Sequence, residues 1–406
     1  MKKYLTIIAS AALLAACSND ADVVDNGQPT GKAIAFNMSL AANGAQTRAA
    51  NEINDDAALQ TKEFGVFAAY TGQLKYEQTT VSCDYMYNQK VEYKDGNWQY
   101  FPVKYWPNDA RDYVSFYAYA PYVSKFATEE EGGIVDMSKN YDLGDPWINF
   151  RLPSRPWDID NTDAGKANQI DLLYMQHLVG GKGTADDPYK YTAWDDQQTP
   201  HKVDSVMEFN FVHALACIGD TVKVSMDTKL ENYIKDYCDI TIDSISIVYR
   251  NLTTKARLVL RTDNAVANWK EIISGELTTT RTFGKKFAPG IKITSTVQNI
   301  LEGTGLLYIP LQVRGTEAAV ADVKLTYTIK IKDGNQWVGS ASDGQYVDVE
   351  GSSYQGEAVG QFALDNNLEG QKQNINIVLH KKYDLLHLYF DLEENADEPS
   401  YSRITK

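Results

Sequence analysis

The chain has 406 residues and a formal net charge of −15, with 43% hydrophobic and 11% aromatic residues. So acidic a protein is repelled by phosphate backbones and anionic headgroups, which excludes a nucleic-acid partner or an anionic membrane surface. Tyrosine (26) and glycine (27) are abundant and point to β structure, and the length sets two domains as the expectation.

At the N-terminus Lys2 and Lys3 precede the apolar run YLTIIASAALLAA. It is too short to span a bilayer as a helix, which takes about 20 residues, so it reads as a signal peptide. The run ends in LAAC, Leu14 to Cys17, which resembles the lipobox of bacterial lipoproteins: small residues fit the signal peptidase, and the Cys17 thiol takes a diacylglycerol. Residues 1–17 are therefore the expected lipoprotein signal, the alternative being ordinary secretion with an incidental cysteine. The following SNDADVVDNGQPTGK is polar and acidic with no periodicity, as a flexible tether would be, and its start resembles export signals of Bacteroidetes surface lipoproteins.

Next comes AIAFNMSL, in strict alternation, with Ile34, Phe36, Met38 and Leu40 on one face. This is the pattern of a strand with one apolar side. In GAQTRAA a single arginine, Arg48, follows among small and polar residues, and the expectation is an exposed site cut between Arg48 and Ala49. Residues 18–48 thus read as a tether plus a removable strand.

Period-2 alternation then recurs: Phe64, Val66 and Ala68; Val114, Phe116 and Ala118; Met207, Phe209 and Phe211; Leu325, Tyr327, Ile329 and Ile331. The reading is all-β, with antiparallel sheets packed as sandwiches. KLENYIKDY and VANWKEIIS are short helical candidates, and KDGN, at 94–97 and again at 332–335, is expected to turn a hairpin each time. The polar stretch 180–204 marks a boundary near residue 203, giving domains at 49–202 and 203–406.

Catalytic chemistry finds no support. HExxH and GxSxG are absent, GGKGT lacks the spacing of a phosphate loop, and five scattered histidines make no ligand cluster. No enzyme activity, cofactor or metal is expected, the acidic DLGDPW and TADD reading as solvated loops in preference to calcium sites. Cys83, Cys217 and Cys238 are odd in number without CxxC spacing, one disulfide among them staying open and Cys217 reading as a small core residue. The aromatic GNWQYFPVKYWP could stack on sugars, although in a sandwich such residues mostly pack across strands.

After NINIVL the chain continues as YDLLHLYFDL, with Leu386, Leu388, Phe390 and Leu392 alternating on one face. Their length and period match the strand before Arg48. Detaching that strand exposes unpaired main-chain groups and an apolar groove. Segment 383–392 of another molecule is the expected donor strand, giving head-to-tail association into an open fibre.

Five stretches together resemble the fimbrillin family of Bacteroidales, the type V pilins: QTRAA behind a lipobox and an alternating strand, VKYWPNDARDYVSFYAYAP, VMEFNFVHALACIGDTVKV, LLYIPLQV and GQKQNINIVLH. The resemblance covers nearly the whole chain. It implies two transthyretin-like antiparallel β-sandwich domains in tandem. It also implies an outer-membrane lipoprotein precursor, cut after Arg48 by a trypsin-like or gingipain-like protease and polymerised with other fimbrial subunits by donor-strand exchange. The segment past NINIVL is short for the family, which fits either a full donor strand or that of an accessory subunit. Anchor and tip subunits are alternatives within the class, and a monomeric glycan-binding surface lipoprotein is the alternative outside it. Asp204–Val206, Asp220–Val222 and Asp243–Ile245 resemble a short O-glycosylation sequon of these bacteria.

Overall fold

The computed structural model describes residues 33–40, 53, 55–74, 79–107, 113–157, 169–175, 207–261, 267–332, 337–341, 344–348, 353–364, 372–382 and 384–392. In chain order the first strands are β1 (Phe36–Leu40), β2 (Phe64–Gly72), β3 (Met86–Lys94), β4 (Asn97–Gln99), β5 (Tyr113–Ala120), β6 (Gly133–Met137), β7 (Trp147–Arg151), β8 (Leu173–Met175) and β9 (Met207–His213), with helix α1 (Asp56–Gln60) after β1. There follow β10 (Ala216–Met226), β11 (Cys238–Thr253), β12 (Lys255–Val259), β13 (Asn268–Glu271), β14 (Thr278–Lys292), β15 (Gln298–Glu302) and β16 (Leu306–Tyr308), with helix α2 (Thr228–Ile234) after β10. The last are β17 (Val320–Ile331), β18 (Trp337–Ala341), β19 (Gly344–Asp348), β20 (Ser353–Ala363), β21 (Lys372–Lys382) and β22 (Asp384–Leu392).

The fold is nearly all β, as alternation in the sequence requires. In β17 Ala321, Val323, Leu325, Tyr327, Ile329 and Ile331 are buried, while Lys324 and Lys330 between them are exposed. One sheet has the order β1-β9-β8-β5-β2-β3-β4, and a second β13-β12-β7-β6. Nearer the C-terminus lie β14-β11-β17-β20 and β15-β10-β21-β22, the latter with β16 also on β10. These last two sheets pack face to face where the Tyr249 hydroxyl of β11 meets Gly219 of β10. Gly219 has φ +72°, and a Cβ there would come within 2.6 Å of that hydroxyl, so both backbone and space demand glycine.

Among the described residues strand pairing crosses residue 203 in three places, one of them β1 on β9. β9 completes the first sheet, with Leu173↔His213 and Met175↔Phe211 in register, and β12 pairs antiparallel with β7 from Lys255↔Arg151 to Val259↔Trp147. Side chains bolt the same seam. The Trp157 indole donates to the Thr304 carbonyl at 2.9 Å, and Gln169 bonds both the Gly305 carbonyl (3.1 Å) and the Leu307 amide (2.7 Å).

Several sequence expectations meet the structure here. KDGN at 94–97 is a hairpin, with Lys94↔Asn97 paired and Asp95 and Gly96 both at positive φ (53° and 82°), as a type I′ turn needs. KLENYIKDY supplies all of α2 after Thr228, and the helix is capped by the Asp227 carboxylate on the Lys229 amide. Three expectations need correction. KDGN at 332–335, of which 333–335 lie outside the described residues, stands between strands that do not pair with each other: both edges of β17 are taken by β11 and β20, and β18 pairs with β19 instead. VANWKEIIS forms strand β13, because Trp269 packs on Phe150 and bonds the Ala214 carbonyl, placing Leu258↔Trp269 in a ladder. The sheets are not purely antiparallel either, since β1–β9 and β10–β21 run parallel. Each of these pairs joins segments far apart in the chain, free of the hairpin geometry that enforces antiparallel neighbours.

Cys83, Cys217 and Cys238 are buried thiols. Burial pushes the Cys83 thiol up to about 12 and Cys238 to about 11, with Asp145 and Asp84 adding to the first and Asp239 to the second.

Candidate functional site

The alternation of AIAFNMSL makes β1 an edge strand whose apolar side faces the core: Ile34, Phe36 and Met38 are 2%, 4% and 7% exposed, and Leu40 is half-buried. It lies parallel on β9 with Phe36↔Met207, Met38↔Phe209 and Leu40↔Phe211 in register. The Phe36 ring sits in a box of four aromatics: Tyr100 and Phe209 at 5.2 Å, Phe116 at 6.0 Å and Phe64 at 6.3 Å between centroids. Such edge-on and tilted contacts add to the area that the ring buries.

Main-chain bonds hold the strand at both ends. The Ile34 amide donates to the Lys104 carbonyl at 2.9 Å, the Met207 amide donates to the Ala35 carbonyl at 2.8 Å, and the Tyr100 hydroxyl donates to the Ile34 carbonyl at 2.8 Å. Burial raises the Tyr100 phenol well above its ordinary range, so it stays a donor at physiological pH. At the other end the Leu40 amide donates to Asp56 Oδ1 at 2.8 Å, and on the outer side Ser39 Oγ donates to Asn210 Oδ1 at 2.7 Å. Beyond Arg48 the chain is fixed again at Ile53, whose amide donates to the buried Asp171 Oδ2 at 2.9 Å, while Asp171 Oδ1 meets His213 Nδ1 at 2.9 Å.

Sequence reasoning located β1 but missed Tyr100, Lys104, Asp56 and Asp171. Tyr100 stands in GNWQYFPVKYWP, the stretch whose aromatics could stack on sugars. Three of those aromatics pack: Trp98 lies against Phe64 and Tyr93, Tyr100 against Phe36 and Trp106 against Phe116, while Phe101 and Tyr105 are exposed. Cys17, Arg48 and Ala49 lie outside the described residues. The expected donor residues Leu386, Leu388, Phe390 and Leu392 fall in β22, which is the edge strand of its own sheet, antiparallel to β21 with Leu379↔Phe390 and Ile377↔Leu392. Of the sequon-like stretches, Asp204–Val206 is outside the described residues. Thr221 and Ser244 lie within β10 and β11, with Ser244 bonded to Thr326 at 2.6 Å.

A family model described as fimbrillin-like matches residues 47–354, more than half of the chain. The chain belongs to the fimbrillin-like family. Among solved structures, this fimbrillin-like protein is similar to a fimbrial protein from Bacteroides vulgatus at 18% identity and a TM-score of 0.55, covering 89% of this chain and 98% of that one. That likeness establishes a shared fold. The fimbrial anchor protein Mfa2 from Porphyromonas gingivalis is a fainter match, at 10% identity and a TM-score of 0.32 over 89% of this chain and 96% of its own, too low to carry an argument. No curated protein sequence matches. The fimbrillin-like match begins at residue 47, so β1 lies before it, and β21 and β22 lie after it. Among the described residues no helix is long and apolar enough to cross a membrane, and no cluster of His, Cys, Asp or Glu could hold a metal ion.

Proposed function

We propose that this fimbrillin-like protein is a structural subunit of a cell-surface fimbria. It is made as a lipoprotein precursor modified at Cys17, carried to the outer membrane, and matured by a trypsin-like or gingipain-like protease that cuts between Arg48 and Ala49. The chain is read as tandem transthyretin-like sandwiches that share strands across residue 203 and work as one unit. Cutting frees β1 to leave, and segment 383–392 of another subunit takes its place.

The observation that carries this reading is the placement of β1. It is an edge strand with its apolar side buried, and the chain that joins it to Ile53 contains Arg48. Removing such a strand uncovers the β9 edge and the aromatic box together, a surface that is costly to leave exposed to water. An Arg48→Ala variant is therefore expected to remain a folded monomer with no high-mass ladders on gels, while the native chain forms them after protease treatment. Normal ladders from Arg48→Ala would remove the processing step from the mechanism.

A further inference from the structure

The direction and contacts of β1 bear on what can replace it. Resting on the strand-exchange reading above, we propose that the aromatic box around Phe36 selects the incoming strand. Its occupant is Phe390 of a second copy of this chain, lying parallel to β9 in the register that Phe36 holds.

The box is the most demanding part of the groove, because four rings at 5.2 to 6.3 Å shape it to one aromatic side chain. On the apolar face of the C-terminal segment, Leu386, Leu388, Phe390 and Leu392, only Phe390 is aromatic. Placing it in the box puts Leu388 where Ile34 lies and Leu392 where Met38 lies, both exchanges between aliphatic side chains of similar volume. Glu394 then falls at the place of Leu40, which is half-buried and leaves a carboxylate access to water. A shift of two residues instead leaves a leucine in the box, with a void beside it, and forces a ring into the site of Met38.

The main-chain partners set the direction. Just before β1, Ile34 offers its amide to the Lys104 carbonyl and its carbonyl to the Tyr100 hydroxyl, and Ala35 offers its carbonyl to the Met207 amide. A parallel strand presents the same groups there, from Leu388 and Tyr389. Leu386 would lie upstream of the place of Ile34, outside the groove, so three apolar side chains carry the selection.

Paired cysteines in the full-length, fibre-forming chain test the register. Ser39 is opposite Asn210, so the proposed alignment puts Glu393 there, whereas the shifted one puts Asp391 and a reversed strand puts His387. Directly opposed positions lie within disulfide reach, and Cys83, Cys217 and Cys238 are buried. Under mild oxidation Asn210→Cys with Glu393→Cys is expected to link subunits, and Asn210→Cys with Asp391→Cys or His387→Cys is not. Links through either of the latter pairs overturn the proposal. A second arm leaves the recipient chain unaltered. After a cut at Arg48, a synthetic peptide of residues 384–394 is expected to displace labelled β1; Phe390→Ala in the peptide should weaken this by roughly 100-fold or more, and Leu386→Ala should leave it unchanged. A loss with Leu386→Ala comparable to that with Phe390→Ala overturns the register. Ladders that form without any cross-link or peptide displacement overturn the choice of donor alone, whereas a cut chain that makes no ladders overturns strand exchange itself.

Discussion

The amide of Leu40 donates to Asp56 Oδ1 at 2.8 Å, a hydrogen bond that ties the end of β1 to the first residue of α1 across sixteen positions of chain. The segment containing Arg48 therefore leaves from one fixed point and returns near it. Cutting at Arg48 breaks none of the described contacts of β1, so the strand remains seated until it is displaced. Asp56→Ala should loosen it, by about 0.5–1 kcal/mol for an exposed bond of this kind. The label on β1 in cut protein should then leave a few-fold faster, and Asp56→Asn, which keeps an acceptor, should stay close to native. Equal effects of the two variants would show that this bond does not retain the strand.

Phe36→Ala empties the aromatic box. The uncut chain is expected to lose about 3 kcal/mol of stability, read from denaturant midpoints. After cutting and exchange the same substitution should have no effect, because Phe36 has left with β1. A stability loss that persists in the assembled form would place the residue in the mature subunit and contradict its removal.

Substitutions in β22 should sort by face. Leu388→Asp or Phe390→Asp would put a charge into an apolar groove, at a cost of several kcal/mol. His387→Asp and Tyr389→Asp lie on the alternate face and should be tolerated far better. Ladder length on gels after protease treatment measures the difference, and equal shortening by both pairs would count against this segment as donor.

Gly219→Ala tests the packing of β10 on β11. Its φ of +72° and the Tyr249 hydroxyl at 2.6 Å from an added Cβ both oppose the change. A loss of about 2–4 kcal/mol is expected, visible as a lowered Tm. An unchanged Tm would mean that the two sheets can separate freely at this point.

How far the sequence revealed this arrangement depends on the range of each signal. The strand at Ile34 to Leu40, the turn at Asp95–Gly96 and helix α2 were legible because alternation, positive-φ residues and a capping aspartate act over a few residues. The aromatic box was not, because Phe64, Tyr100, Phe116 and Phe209 come from four separate segments that only the sheet order brings together. The parallel direction of β1 was hidden for the same reason. At Asn268–Glu271 the local pattern pointed the wrong way, since a four-residue strand is decided by the neighbour it pairs with and not by its own period. The second KDGN failed likewise, the partners on both sides of β17 lying beyond the reach of a turn motif.

The pairing of β1 with β9 also governs the order in which the protein can be built. Ser39 and its partner Asn210 are 171 residues apart in the chain. While synthesis proceeds from the N-terminus, β1 has no edge to join until β9 emerges, and β7 must likewise wait for β12. Contacts of such long sequence separation form late and slowly. A fragment ending at residue 202 would consequently leave β1 without a strand partner and β7 with β6 alone, and the groove comes into being only once the chain beyond it has been made.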